Sequence, residues 1–525
     1  MLDFGQNILY NIFIGSVNDV HILSCVSRHI IKTSYFAPVL MEKKMKQKLD
    51  NFFKISERGS NFKTEIIAGL TTFFAMAYIV VVNPNSVAGF QLDQLSGDLR
   101  TIWLSVYVAS LFAAVVGTLL YAFYAKLPYA QACGMGLNAF FFVSFILPNL
   151  IFDESGSIVG GDPIKGYKEG LFVILLSGVI FVLLSMTGAR EHIARALPDC
   201  LKKAIPAGIG LFIAMIGFKN VGIIQGNQYT LVQLFDFHAA VEGKSFFEGW
   251  VSIAPVVLTL GGLFLITVLE KKGLKGSIIT SILVITVLYY LTTWTLPDFD
   301  ISQVGDSFKA FGEIGIFTVF EGYTIFTTKG IVNALVFTIT FCLVNMFDTI
   351  GTLYGTASQA NMLDESGDPI DMDKSMVCDS ISTVTGALLG TSTCTTFVES
   401  SSGIAAGGRS GFASIITSLC FFLCLFLTPV ASIVPLCATA PALIYVGVLM
   451  LKNFANVDMT DISSAVPAFL ALIMMPLTYS ISNGIAVGAI AYTLITLFSG
   501  KYTKKDIIVT AIAVLFTLRF FLVSM

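Results

Sequence analysis

Two carboxylates sit inside strongly apolar sequence. Asp348 lies in TFCLVNMFDTIGTL and Glu399 in GTSTCTTFVESSSGIAAGGRSG, residues 390–411. An ionisable residue in a segment of this kind marks a functional site by default. The second stretch is packed with Gly, Ser and Thr, which interrupt what is otherwise a continuous apolar run. A backbone that breaks at membrane depth is tolerated only where it is buried in protein or lines a cavity. The plainer reading, a cytoplasmic loop between two helices, is disfavoured by how rarely charge is placed among apolar spans. Asn345, Asp348 and Thr352 are spaced i, i+3, i+7 and share one helix face. Thr395, Thr396 and Ser400–Ser402 surround Glu399, and a third polar cluster, Gly134, Gly136 and Asn138, opens ACGMGLNAFFFVSF.

The chemistry follows from the residue types. Two acids facing each other across a poorly hydrated cavity do not both ionise easily, so one holds an exchangeable proton. A proton-coupled carrier needs that property. A carboxylate also accepts paired N–H bonds, and a flat heterocycle such as guanine or hypoxanthine presents adjacent donors. Phe140–Phe142 offer an aromatic wall for such a ring, although Phe in a membrane helix more often faces lipid or another helix. Asn138 suits an interhelical hydrogen bond about as well as a ligand contact. Asp379 reads as a helix-end residue, and Glu65 as an acid placed for a helix N-terminus.

The elements that must carry these groups are membrane helices. Of the 525 residues, 55% are hydrophobic and 12% charged, with mean hydropathy +0.81. A soluble protein has roughly 25% charged residues. The nine Cys have no CxxC or Cys/His ligand spacing, and His21, His29, His192 and His238 all fall outside the apolar runs. Intramembrane zinc chemistry and a His proton relay are therefore not expected. No Ser/His pair or HExxH motif lies in the spans, which argues against an enzyme. No metal, cofactor or nucleic-acid partner is expected.

Runs near twenty apolar residues read as spans. The first seven are Glu65–Asn83 (ending at Pro84), Thr101–Ala125, Ala130–Leu150, 170–187, 203–222, 250–269 and 275–295. The second seven are 331–354, 374–389, the broken stretch 391–404, 410–434, 438–452, 463–481 and 483–499. Ile507–Met525 reads as an interfacial or peripheral helix. Lys and Arg gather in the loops after even-numbered spans, such as Arg190, Arg195, Lys271, Lys272 and Lys452, which places both ends of the fourteen-span set in the cytoplasm. The acidic loop Asp364–Asp373 is the exception. Met41 begins a basic amphipathic lead-in and reads as the physiological start, with 1–40 as a gene-model extension. Pro206-Ala207 and Pro441-Ala442 open the fifth span of each set, and both third spans are interrupted by small residues. A repeat with an odd number of spans inserts upside down relative to its twin, so the expectation is two inverted halves with broken helices in spans 3 and 10. The expected division is 1–62 cytoplasmic, 63–296 first repeat, 297–330 extracellular linker, 331–500 second repeat and 501–525 C-terminal segment. The fold class is all-α polytopic membrane protein.

The stretches TEIIAGLTTFFAMAYIVVVNP (64–84), ACGMGLNAFF (132–141), FDTIGTLYG (347–355) and GTSTCTTFVESSSGIAAGGRSG (390–411) resemble the AzgA-like purine permeases. These form the adenine/hypoxanthine/guanine branch of the nucleobase–ascorbate transporter superfamily. The resemblance runs from about Phe52 to Gly500. It implies a seven-plus-seven inverted repeat with core and gate domains, proton-coupled purine uptake across the plasma membrane, and a homodimer formed through the gate domain. By that match Asp348 and Glu399 bind the purine and couple it to the proton, and Asn138 and Gly136 are essential to the pocket; Thr396 and Thr352 are further candidate substrate contacts from their place beside the two acids. Family members usually carry Asp where this chain has Asn345; Asn keeps hydrogen bonding but loses a titratable group. Cys394 and Ser400–Ser402 also depart from the usual pattern. The alternative is an anion or other small-solute transporter of the same architecture, whose site would be basic or neutral.

Overall fold

A computed structural model describes residues 46–89, 95–153, 158–187, 198–227, 230–274, 276–297, 299–360, 362–363, 369–500, 502–503 and 506–522. Residues 1–40, Met41 and the acidic loop's centre lie outside the described residues. The chain divides into two compact units, Met1–Gly59 and Ser60–Met525. In the first, a helix over 46–53 leads into a turn where the backbone N–H (2.8 Å) and hydroxyl (2.7 Å) of Ser56 donate to Asp50. Those two bonds, the backbone one foremost, hold the exposed Asp50 carboxyl below its usual range.

The second unit is built from helices, and each expected span has a helical counterpart. The first set comprises α1 (Phe62–Met76) and α2 (Ile79–Ala88), α3 (Gly97–Leu120), strand β1 (Gln131–Cys133) leading into α4 (Met135–Phe141), α5 (Pro163–Thr187), α6 (Asp199–Asn220), α7 (Phe246–Lys271) and α8 (Ser277–Thr293). The second comprises α9 (Ile331–Ala360), α10 (Met372–Leu389), strand β2 (Cys394–Thr396) leading into α11 (Ser400–Ala405), α12 (Gly411–Cys424), α13 (Leu436–Leu451), α14 (Ile462–Leu477) and α15 (Ile481–Phe498). Among the described residues, eight helices are long and apolar enough to cross a membrane, with shorter apolar helices in other spans.

The helices sort into two groups by packing. One holds α1–α5 and α9–α12; the other holds α6, α7, α8, α13, α14 and α15. The groups meet where α6 packs on α4 and α9. Counterparts from the two halves lie side by side: β1 pairs antiparallel with β2, with Gln131 opposite Thr396 and Cys133 opposite Cys394. Likewise α6 packs along α13, the two spans opened by Pro206 and Pro441, and Gly210 and Gly447 let their backbones close up. These twin pairings fit an inverted repeat, whose two halves meet through corresponding broken helices.

The first span differs from its expected form. It does not stop at Pro84 but breaks earlier, at Ala77–Tyr78, and α2 carries Pro84 inside it. Val80 and Val81 bond back to Ala77 and Tyr78 at 3.2 Å, a tightened turn that restarts the helix. Pro84 then falls in the second turn, where the missing N–H removes one ladder bond and the helix continues to Gly89. The C-terminal segment, expected at the periphery, forms a helix, α16 (Ile507–Leu522), which packs on α15 and touches α9 through buried Val509, Ala513 and Phe516. Its start is tied down by buried Asp506, which accepts from the Tyr492 hydroxyl at 3.0 Å and from the Thr503 N–H and hydroxyl at 2.7 Å.

Span 1 is also the bed on which the broken tenth span rests. Gly403 of α11 lies against Thr72 and the Ala68 carbonyl, leaving no space for a Cβ. The Thr417 hydroxyl of α12 donates to the Gly69 carbonyl at 2.9 Å. Gly403→Val is expected to lift α11 off α1 and lower stability by about 1–3 kcal/mol, read as an earlier thermal melt in detergent; an unchanged melt means that contact carries no stability.

Candidate functional site

The paired strands form the floor of the site, and Asp379 holds them. It sits two turns into α10 and is fully buried. This corrects the expected helix-end role: α10 starts at Met372 and a capping acid would sit there, whereas Asp379 faces the crossing strands. Its carboxylate accepts from the Thr396 N–H at 3.1 Å and hydroxyl at 2.7 Å, and from the Gln131 amide and the Thr349 hydroxyl. Tyr121, at the end of α3, brings its hydroxyl to 3.3 Å. One side chain therefore ties β1, β2, α9 and α3 together, and its lone pairs are used in doing so. Gln131 completes the knot by accepting from Ser382 through its Oε1.

Above this floor lie the two acids singled out by sequence. Glu399 precedes α11 at the break of the tenth span and is half-buried. The Tyr78 hydroxyl, from the break in span 1, donates to Glu399 Oε1 at 2.7 Å. Asp348 is half-buried on α9, within electrostatic reach of both Asp379 and Glu399. The two acids thus keep partial exposure, while Asp379, Thr395 and Thr396 have almost none. Partial exposure in the middle of apolar spans fits groups that line a cavity.

The remaining candidates divide by position. Asn138 is fully buried and donates through Nδ2 to Asn83 Oδ1 of α2, the interhelical bond that the sequence left as one of two options; its own Oδ1 is buried with no hydrogen-bond partner among the described residues. Gly136 faces α6: a Cβ there would collide with Ile209 and reach Ile213 at 3.4 Å. It therefore lies on the seam between the two helix groups. Thr396 gives both its N–H and its hydroxyl to Asp379. Thr352 is half-buried one turn beyond Asp348 on α9. Asn345 is fully buried and donates to Thr383 Oγ1 at 2.9 Å, a bond an ionised Asp could not make. Phe140 and Phe141 are buried among Phe145, Phe341 and Tyr167, packing helices together.

Glu65 is buried in the first turn of α1, but the helix N-terminus it serves is another one. Its carboxylate accepts from the Arg409 N–H at 2.8 Å and the Ala413 N–H at 3.2 Å, at the start of α12. Sequence reasoning missed Tyr78 and Gln131 and misplaced Asp379. Asp379 carried a usable signal, an acid inside an apolar run; Tyr78 carried none, since a Tyr in a membrane helix is ordinary. The assembled site presents two half-buried carboxylates that can accept N–H donors.

A family model described as "Permease family" matches residues 63–487. The guanine/hypoxanthine permease PbuG of Bacillus subtilis is 38% identical over 473 residues, covering 90% of this chain and 99% of that protein. The adenine permease AdeQ of Escherichia coli is 34% identical, covering 91% and 97%. A putative permease of Methanocaldococcus jannaschii is 35% identical, covering 91% and 99%. Among solved structures, the transmembrane domain of the cyanobacterial bicarbonate transporter BicA aligns with a TM-score of 0.56 at 13% identity, over 81% of this chain and 97% of that one. Murine Slc26a9 in its inward-facing state aligns at 0.51 and 14% identity, over 84% and 69%. These identities speak to the fold alone, and the fold is the inverted-repeat, core-and-gate architecture of a multi-pass membrane protein.

Proposed function

Because the chain belongs to this permease family, we propose that it is a proton-coupled secondary transporter that imports purine nucleobases across the plasma membrane by alternating access. Guanine and hypoxanthine are the first candidates and adenine the next, following the substrates in the names of its relatives. The observation that carries the reading is that two half-buried acids, Asp348 on α9 and Glu399 at the break of the tenth span, lie within electrostatic reach of each other. Glu399 and Asp348 receive the N–H groups of the purine and carry the coupled proton. Asn138 and Thr352 border the pocket, Thr396 fixes its floor, and Gly136 lets the core group slide against the gate group. Residues 63–296 and 331–500 are the two repeats, 297–330 the outer linker, 1–62 and 501–525 the flanking segments, and two copies associate through their gate domains.

The acidity of the site separates this from the anion-transport alternative. Two solved structures of like fold are of a bicarbonate transporter and an anion transporter, but a shared fold does not carry a shared substrate. Asp348, Asp379 and Glu399 converge here, and an anion entering among three carboxylates meets repulsion rather than a counter-charge. An inward proton gains roughly 2.3 kcal/mol per 100 mV. At about 1.4 kcal/mol per factor of ten, one proton per purine concentrates substrate on the order of 50-fold from voltage alone.

The test is uptake of labelled hypoxanthine by cells or vesicles carrying the protein. Uptake is expected to collapse with a protonophore and to be competed by guanine and adenine. Asp348→Ala is expected to weaken purine binding by about 10- to 100-fold, the loss of a hydrogen bond to a charged group. Uptake indifferent to the protonophore refutes the coupling. Bicarbonate or chloride uptake without purine uptake favours the alternative.

A further inference from the structure

The fold ties Glu399 to a residue outside the expected purine site. Tyr78 is fully buried in the two-residue break between α1 and α2, and its hydroxyl meets Glu399 Oε1 at 2.7 Å. The contact spans 321 positions of chain, so it exists only because span 1 is docked on the tenth span. That docking is close-packed. Gly403 of α11 is pressed on Ala68 and Thr72, Gly408 on Ala68, and Gly69 on Ala413 and Ile416. At the far end, Glu65 of α1 holds the N–H groups of Arg409 and Ala413. The backbone that carries Tyr78 and the backbone that carries Glu399 are thus held together along α1, through residues that precede Tyr78 and residues that follow Glu399. A buried tyrosine has two side-chain torsions and little freedom once packed, so its hydroxyl is an immobile donor.

Resting on the purine-transport reading, we propose that Tyr78 is a positioning residue: its hydroxyl holds Oε1 of Glu399, which fixes the carboxylate and leaves its other oxygen for the purine. A free glutamate samples several rotamers, and only some present an oxygen to a ligand; fixing one oxygen removes that entropy before substrate arrives. The purine then meets one pre-aimed acceptor on Glu399 and a second acceptor on Asp348, rather than a mobile carboxylate. The same bond joins Glu399 to the interruption in span 1.

Tyr78→Phe tests this, because the ring keeps its packing and only the O–H is lost. In full-length protein, the apparent KM for hypoxanthine is expected to rise about tenfold, as for loss of a hydrogen bond to a charged group. Uptake at saturating hypoxanthine is expected to stay within about twofold, and the thermal melt of the substrate-free protein to be nearly unchanged. A merely structural role gives the reverse pattern, a lower melt and a lower maximal rate at unchanged KM, and overturns the proposal. Wild-type KM in Tyr78→Phe also overturns it, while leaving the purine reading intact. Wild-type protein that neither binds nor transports any purine overturns that reading, and this proposal with it.

Discussion

Glu399→Gln abolishes uphill accumulation of purine while leaving the protein folded and able to equilibrate substrate. The substitution is nearly isosteric. The amide Oε1 still accepts from the Tyr78 hydroxyl, now 2.7 Å from the carboxylate, so the docking of span 1 on the tenth span persists. What is lost is the ability to take and release a proton, since an amide does neither at any pH of interest. In vesicles with an imposed proton gradient, the inside-to-outside ratio is expected to fall from tens-fold to about one, while exchange of labelled for unlabelled hypoxanthine continues. A driving force on the order of 2.3 kcal/mol per 100 mV disappears only if the coupled proton resides on this residue. Uphill uptake at the wild-type ratio by Glu399→Gln refutes the coupling role.

The second large effect is structural. Asp379→Ala leaves the Thr396 N–H and hydroxyl, the Gln131 amide and the Thr349 hydroxyl without their shared acceptor, in a fully buried place. Breaking a buried, hydrogen-bonded charge network from one side typically costs about 3–5 kcal/mol, a large part of the roughly 5–15 kcal/mol that holds a protein folded. The variant is expected to be made in small amounts, to melt early in detergent and to bind no purine. Asp379→Asn keeps one acceptor oxygen but turns an NH₂ group towards other donors, so it is expected to fall between. An Asp379→Ala protein with wild-type melting and purine affinity means the strand pairing holds without its central acceptor.

The two predictions draw on acids that the sequence weighed differently. Glu399 stood out because Gly, Ser and Thr crowd around it in an apolar run, so composition alone marked a broken helix. Asp379 stood in a more regular stretch, close to the expected start of a span, and that made capping the economical reading. The structure starts α10 at Met372, which carries Asp379 inward by two turns. The Pro84 break was misjudged for a related reason. Proline is a strong local signal, but the interruption in span 1 falls at Ala77–Tyr78, where the helix yields to bring Tyr78 against Glu399.

The sequence by itself determined the membrane class, the fourteen apolar segments, their grouping into two sets of seven and the two half-buried acids. These are local quantities: hydrophobic length, the free-energy cost of charge in an apolar run, and the tendency of glycine and hydroxyl residues to interrupt it all act within a few turns of chain. Only the tertiary structure decided which groups satisfy one another. The antiparallel pairing of β1 with β2, the gathering of donors on Asp379 and the Tyr78 bond to Glu399 join residues hundreds of positions apart. A buried polar group must find a partner wherever the packing of helices places one, and the periodicity of a single helix does not record which neighbour that will be.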